Sequence, residues 1–177
     1  MEKVALLTGN KNKYAPFKNF LNGSIMEVVL FKEEILEIQA KTLEDVAKAK
    51  AEAVHKIYKN SFLIDDVGLF LDAYPSFPGP YTKHMLQVLG AEGFSKLIEG
   101  KSNKATFTCI LSGYINEEFV LVKGEVSGKF DPTIPLQDGE MPLSTWFIPD
   151  VSSPYGALEH RFQALEKIKR EIDFRRA

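Results

Sequence analysis

One stretch constrains the fold more than any other. Residues 43–58 form a long amphipathic segment set between two short apolar runs, residues 26–31 and 61–64. Leu43, Val46, Ala47, Val54 and Ile57 recur at helical spacing and share one face. A helix between two strands is a crossover, which commits the chain to a sheet with helices on its faces. The opening run Val4-Ala5-Leu6-Leu7 reads as a further buried strand, stopping in the turn Thr8-Gly9-Asn10. A helix follows over residues 13–21, with Pro16 limiting where it starts.

The second half connects differently. Residues 61–64 make a strand ending at Asp65-Asp66, and Pro75, Pro78, Gly79 and Pro80 mark a loop before short helices at 82–89 and 92–98. Residues 104–114 and 118–126 pair as a hairpin about Ile115-Asn116-Glu117. Residues 136–142 read as a loop and 145–148 as a short strand. Residues 157–172 close the chain as a helix buried along Leu158, Phe162, Leu165, Ile168 and Ile172, before a frayed tail at 174–177. Crossover and hairpin together predict an α/β (α+β) protein with a mixed sheet. No linker interrupts the 177 residues, so 1–177 reads as one domain in which any two lobes share a framework.

Charge and cysteine usage narrow the function classes. The net charge is −2 with no basic stripe, which argues against binding a nucleic acid polymer and suits a small phosphorylated ligand held by a few local cations. A single cysteine, Cys109, allows no intrachain disulfide. No apolar run approaches a membrane span and none reads as a signal peptide, so a cytoplasmic protein is expected.

Five places carry candidate chemistry. Thr8-Gly9-Asn10-Lys11-Asn12-Lys13 joins a strand to a helix: such a turn either presents backbone N–H groups and Lys13 to an anion or simply links two elements. Asp65 and Asp66 end a buried strand, with Gly68 beyond; in extended chain they point to opposite faces. With Glu37 they are hard oxygen ligands of the kind Mg²⁺ accepts, or else capping and turn residues. Lys50 falls within the apolar stripe of residues 43–58, where a lysine either snorkels outward or serves a polar cavity. The proline-stiffened Phe77-Pro78-Gly79-Pro80-Tyr81-Thr82-Lys83 presents Tyr81 or Lys83 to a ligand, or is a rigid surface loop. His160-Arg161 opens the last helix, and arginine suits forked contacts with phosphates or base carbonyls.

In this order the pieces resemble the inosine triphosphatase family. The matching segments are Thr8-Gly9-Asn10 with Lys13, Glu37-Ile38-Gln39, Asp65-Asp66-Val67-Gly68-Leu69, the segment 77–83, Gly124-Glu125-Val126-Ser127-Gly128, and His160-Arg161. The resemblance implies an elongated mixed sheet flanked by helices, two lobes with a central cleft, and a homodimer. It implies Mg²⁺-dependent hydrolysis of a deaminated or otherwise modified nucleoside triphosphate to monophosphate and pyrophosphate. Thr8, Gly9, Asn10 and Lys13 would cradle the triphosphate; Lys50 and Lys83 would bind phosphates; Glu37, Asp65 and Asp66 would hold Mg²⁺. Asp66 would activate water, and His160 and Arg161 would reach the base.

The chain also departs from that family. Pro16 stands where the family has an acidic residue, and Glu159 replaces the serine before His-Arg. The family's Gly-Phe-Gly-Trp/Tyr-Asp-Pro segment is replaced by Gly139-Glu140-Met141-Pro142-Leu143-Ser144-Thr145-Trp146-Phe147-Ile148-Pro149, without an aromatic-Asp pair, and Trp146 reads as a core residue. The metal and triphosphate half is kept and the base-reading half rebuilt. Two alternatives follow: a nucleotide-binding homologue with lost or weak catalysis, and a related hydrolase of changed base specificity.

Overall fold

The computed structural model describes residues 3–9, 11–21, 26–33, 35 and 38–176, with the backbone alone for residues 11–13, 16 and 174–176. The expected helix carrying Lys13 and Pro16 is present, described at those two positions by its backbone, while Asn10 and Glu37 lie outside the described residues.

Strand β1, Val4–Thr8, is buried at all five positions, so it must be covered on both faces. It pairs in parallel with β2, Met26–Leu30, on one edge and with β3, Phe62–Leu71, on the other. Helix α1, Lys11–Leu21, carries the chain from β1 to β2. Helix α2, Leu43–Ile57, carries it back past β1 to β3. The two crossovers step in opposite directions, so their helices lie on opposite faces of the sheet. Phe17 and Leu21 of α1 pack with Leu6, Leu63 and Leu111, whereas Ala51 and Val54 of α2 pack with Ala5, Leu7 and Ile64.

Local chemistry explains α2. The Thr42 hydroxyl accepts from the Asp45 amide at 3.1 Å, Glu44 and Asp45 sit in the first turn, and His55 and Lys56 in the last. Its buried line is Leu43, Val46, Ala47, Ala51 and Val54; Ile57 is 57% exposed, against the sequence expectation. The small Ala47 and Ala51 set the line of closest approach to the sheet, leaving Val46, Lys50 and Ile57 on its flank. The Ser112 hydroxyl donates to the Ala47 carbonyl at 3.0 Å and ties the helix down.

The strand expected at 61–64 instead runs ten residues, straight through Asp65-Asp66, because β5, Lys104–Ile115, pairs with it at every position from Phe62 to Leu71. Two-residue strand β4, Pro78–Gly79, joins the far end of β3. Helix α3, Thr82–Ile98, breaks at Gly90 (φ 57°, ψ −164°), so two short helices are present as expected. Strand β5 turns at Asn116 and Glu117, both with positive φ, into β6, Glu118–Phe130, a two-residue hairpin longer than its alternation suggested.

The segment expected as a strand at 145–148 begins instead as helix α4, Pro142–Trp146, and only then becomes β7, Phe147–Pro149. Pro142 suits a first helical turn, and Trp146 is drawn inward, its indole N–H donating to the Ile134 carbonyl at 2.9 Å. A 3₁₀ turn, Gly156–Leu158, leads into α5, Glu159–Arg176, which carries helical backbone through most of the expected tail. The sheet order is β2-β1-β3-β5-β6-β7, with β4 beside β3. It spans two lobes: α1, α2 and α5 cover one, and Leu69, Phe94, Phe130 and Trp146 form the core of the other with α3 and α4.

Candidate active site in the inter-lobe cleft

The cleft follows from β3 outlasting its neighbour. β1 pairs only with Phe62, Leu63 and Ile64, and β4 only with Leu69 and Phe70. Among the described residues, positions 65–68 therefore have no strand partner on that edge, although β5 still holds them on the other. The gap lies at the carboxyl end of β1, where the chain's crossovers change direction, the place at which open α/β sheets bind ligands. A cavity of about 750 Å³ opens there.

The gap exposes both faces of β3 to one space. Leu63 and Val67 face α1 and α5, and Ile64 faces α2, so Asp65 and Asp66 point to opposite sides. Asp66 meets α2: the Lys50 ammonium donates to its Oδ1 at 2.7 Å. Asp65 meets α5: its Oδ2 lies 3.4 Å from Nε of Arg161. Both carboxylates are buried, and both pairs line the cavity. The seat of α5 depends on Gly124 of β6, where a Cβ would lie 2.0 Å from the His160 carbonyl oxygen. A larger residue would push α5, and Arg161 with it, away from β3.

Thr8 and Gly9, at the end of β1, line the cavity, and the Thr8 carbonyl accepts from the Phe31 amide at 3.0 Å. Helix α1 starts directly after this turn, so its N-terminus faces the same side. The side chains of Asn10, Lys13 and Glu37 lie outside the described residues. Lys83 is exposed at the cavity wall in the first turn of α3. Thr82 beside it is buried, its hydroxyl accepting from the Leu69 amide at 2.8 Å and donating to the Gly79 carbonyl at 2.6 Å. That fastens the proline loop to β3.

One expected contact is corrected. His160 is fully buried and does not line the cavity; its ring stacks on Phe107 at 4.0 Å, behind the wall. A helix presents successive residues about 100° apart, and here Arg161 takes the cleft side while the His160 ring turns to the core behind it. Trp146 is 3% exposed and belongs to the second lobe's core, as read from the sequence.

Sequence reasoning missed the rest of that wall: Phe107 from β5, Leu86 from α3, and residues 141–144 at the start of α4. Glu33 also lines the cavity. Apolar side chains scattered over three elements leave no spacing signal, and the sole clue was that 139–149 lacks the expected pattern.

The donor chemistry suits a hard cation. Among the described residues no three of His, Cys, Asp and Glu cluster as metal ligands, but Mg²⁺ is commonly held by one or two carboxylates together with substrate phosphates. Asp66, with its carboxylate turned to the cavity, fits that pattern.

The profile of the Ham1 family matches residues 4–171. A dITP/XTP pyrophosphatase from Ignicoccus hospitalis is 39% identical over 131 residues, covering 72% of this chain and 70% of that protein. An inosine triphosphate pyrophosphatase from Yarrowia lipolytica is 32% identical over 178 residues, with 94% and 93% covered. The solved structure of a HAM1 protein from Coxiella burnetii matches with a TM-score of 0.77 at 20% identity, covering 98% of this chain and 99% of that one, which establishes the fold.

Proposed function

This chain belongs to the Ham1 family, and from that premise we propose that its cleft hydrolyses a deaminated or otherwise modified purine nucleoside triphosphate, of the ITP or XTP kind, to monophosphate and pyrophosphate. The observation that carries the reading is the convergence of the β1 turn, the Lys50–Asp66 pair and the Asp65–Arg161 pair on one cavity of about 750 Å³. The names of the relatives support the same reaction.

In this reading Thr8, Gly9, Asn10 and Lys13 cradle the triphosphate against the start of α1. Lys50 and Lys83 neutralise phosphate oxygens, and Arg161 reaches the base. Asp66 accepts the proton of the attacking water, and its place beside Lys50 fits both tasks of the site, charge neutralisation and alignment of the nucleophile. Asp66 and Glu37 would hold Mg²⁺, which would supply further charge neutralisation on the phosphates. Attack at the α-phosphorus releases pyrophosphate. A homodimer working in the cytoplasm completes the proposal; light scattering of the purified protein measures the oligomeric state.

The test is a panel of triphosphates (ITP, XTP, ATP, GTP, CTP, UTP) with Mg²⁺, scored for pyrophosphate. Turnover of ITP or XTP that chelation abolishes and Mg²⁺ restores is expected. Failure to turn over any triphosphate overturns the reading, and calorimetric binding without hydrolysis would mark a binding protein on an enzyme scaffold.

A further inference from the structure

The two adjacent carboxylates of β3 do not share one task. Strand alternation sends Asp65 to the α5 face and Asp66 to the α2 face, and each meets its own cation there, Arg161 at 3.4 Å and Lys50 at 2.7 Å. Asp65 thus has a counter-charge of its own, apart from the Lys50–Asp66 pair. The Asp65 side chain is only 3% exposed, and that of Arg161 11%.

Arg161 shares the cavity with the apolar side chains of the second lobe. Phe107, buried and backed by the His160 ring, lines that cavity together with Leu86, Leu143 and Met141. An unpartnered guanidinium against apolar side chains is costly, and a long arginine samples many rotamers. The Asp65 carboxylate removes both problems. It pairs with the guanidinium from the Nε side, an ion pair at 3.4 Å in which Nε makes no hydrogen bond, and this leaves the terminal N–H groups as a planar fork for a ligand's carbonyl oxygens.

We propose that Asp65 is a positioning residue for base selectivity, acting through Arg161, and that it is not a ligand of the metal. The ligand edge read by the fork is that of an oxo-substituted base, so this assignment rests on the pyrophosphatase reading above. It divides the Asp-Asp motif between the two ends of the substrate: Asp66 to the phosphates, Asp65 to the base.

The experiment compares wild type, Asp65→Asn, Arg161→Gln and the double variant, each with ITP and CTP across a Mg²⁺ titration. Asp65→Asn is expected to raise KM for ITP and to lower the ITP:CTP ratio of kcat/KM about tenfold or more, as when a buried cation loses its counter-charge. The Mg²⁺ concentration for half activity should stay at the wild-type value, and the double variant should be no less selective than Arg161→Gln alone. A higher Mg²⁺ requirement with equal losses on ITP and CTP would overturn the assignment and make Asp65 a metal ligand. Should Asp65→Asn not fold, Asp65→Glu keeps the charge but displaces it, and the same ratio reads it. If wild type turns over nothing, the pyrophosphatase reading falls; the ITP:CTP ratio of binding constants by calorimetry then still decides whether Asp65 acts through Arg161.

Discussion

The two walls of the cleft are built on different terms. The first-lobe wall sets a few polar and charged groups among apolar ones: Thr8 and Gly9 close β1, Lys50 sits on the flank of α2, and Asp66 stands where β3 loses its β1 neighbour. The second-lobe wall is mostly apolar and assembled from α3, β5 and the start of α4, with Arg161 reaching in from α5. Charge at fixed backbone positions serves a reaction common to all triphosphates, whereas a packed apolar surface serves the choice among bases. Apart from Lys83, which reaches the phosphates from α3, the first wall should therefore govern rate and the second selectivity.

The strongest way to break that division is Asp66→Asn. The substitution keeps the shape and removes the carboxylate that Lys50 grips. Turnover should fall about 10²–10⁴-fold, the usual worth of a general base. The loss should be the same for every nucleotide in the panel, measured as kcat. A loss confined to ITP and XTP would show that the first wall also reads the base.

The contrast between the walls also explains what the sequence disclosed. Lys50 and Asp66 were visible because a charge inside an apolar pattern is conspicuous, and Thr8-Gly9 because a strand-to-helix turn has its own chemistry. Crossover and hairpin were readable for the same reason, from periodicity that switches between helix and strand. The length of β3 was not. Asp65-Asp66 looks like a strand's end, and only pairing with β5 carries the backbone through it. Phe107 and Leu143 look like any buried apolar residue until tertiary packing turns them toward a cavity. His160 misled because its neighbour Arg161 does face the cleft, and one residue along a helix is enough to put a ring behind the wall.

A smaller effect tests the second wall. Leu143 is half-buried at the start of α4 and lines the cavity. Leu143→Ala should raise KM for the preferred nucleotide by about tenfold, as expected when a few methylene and methyl groups are trimmed from a pocket wall, with kcat nearly retained. Steady-state kinetics on two bases measure it. An equal fall in kcat on both would mean that the second wall positions the reacting phosphate as well, and the division of labour would fail.

The smallest effect is expected outside both walls, on the outer row of β6. The Lys123 ammonium lies 2.9 Å from Glu125 and 3.6 Å from Glu44 of α2. Its pKa is raised above the ordinary 10.5, first by the hydrogen bond to Glu125, against which partial burial works, and then by the charges of Glu125 and Glu44. A lysine whose pKa is raised by folding contributes stability that is fully present below its unfolded pKa and lost as pH rises through the folded value. Lys123→Met should thus lower Tm at neutral pH, and the gap to wild type should close only in strong alkali. With 42% of the side chain exposed, solvent screens the pair, so the shift should not exceed about 2–4 °C. Selectivity and kcat should be untouched, since Lys123 does not line the cavity. A change in either would show that the Glu44–Lys123 bridge sets the seat of α2, and through it the reach of Lys50 toward Asp66, which would extend the rate-setting wall beyond the cleft.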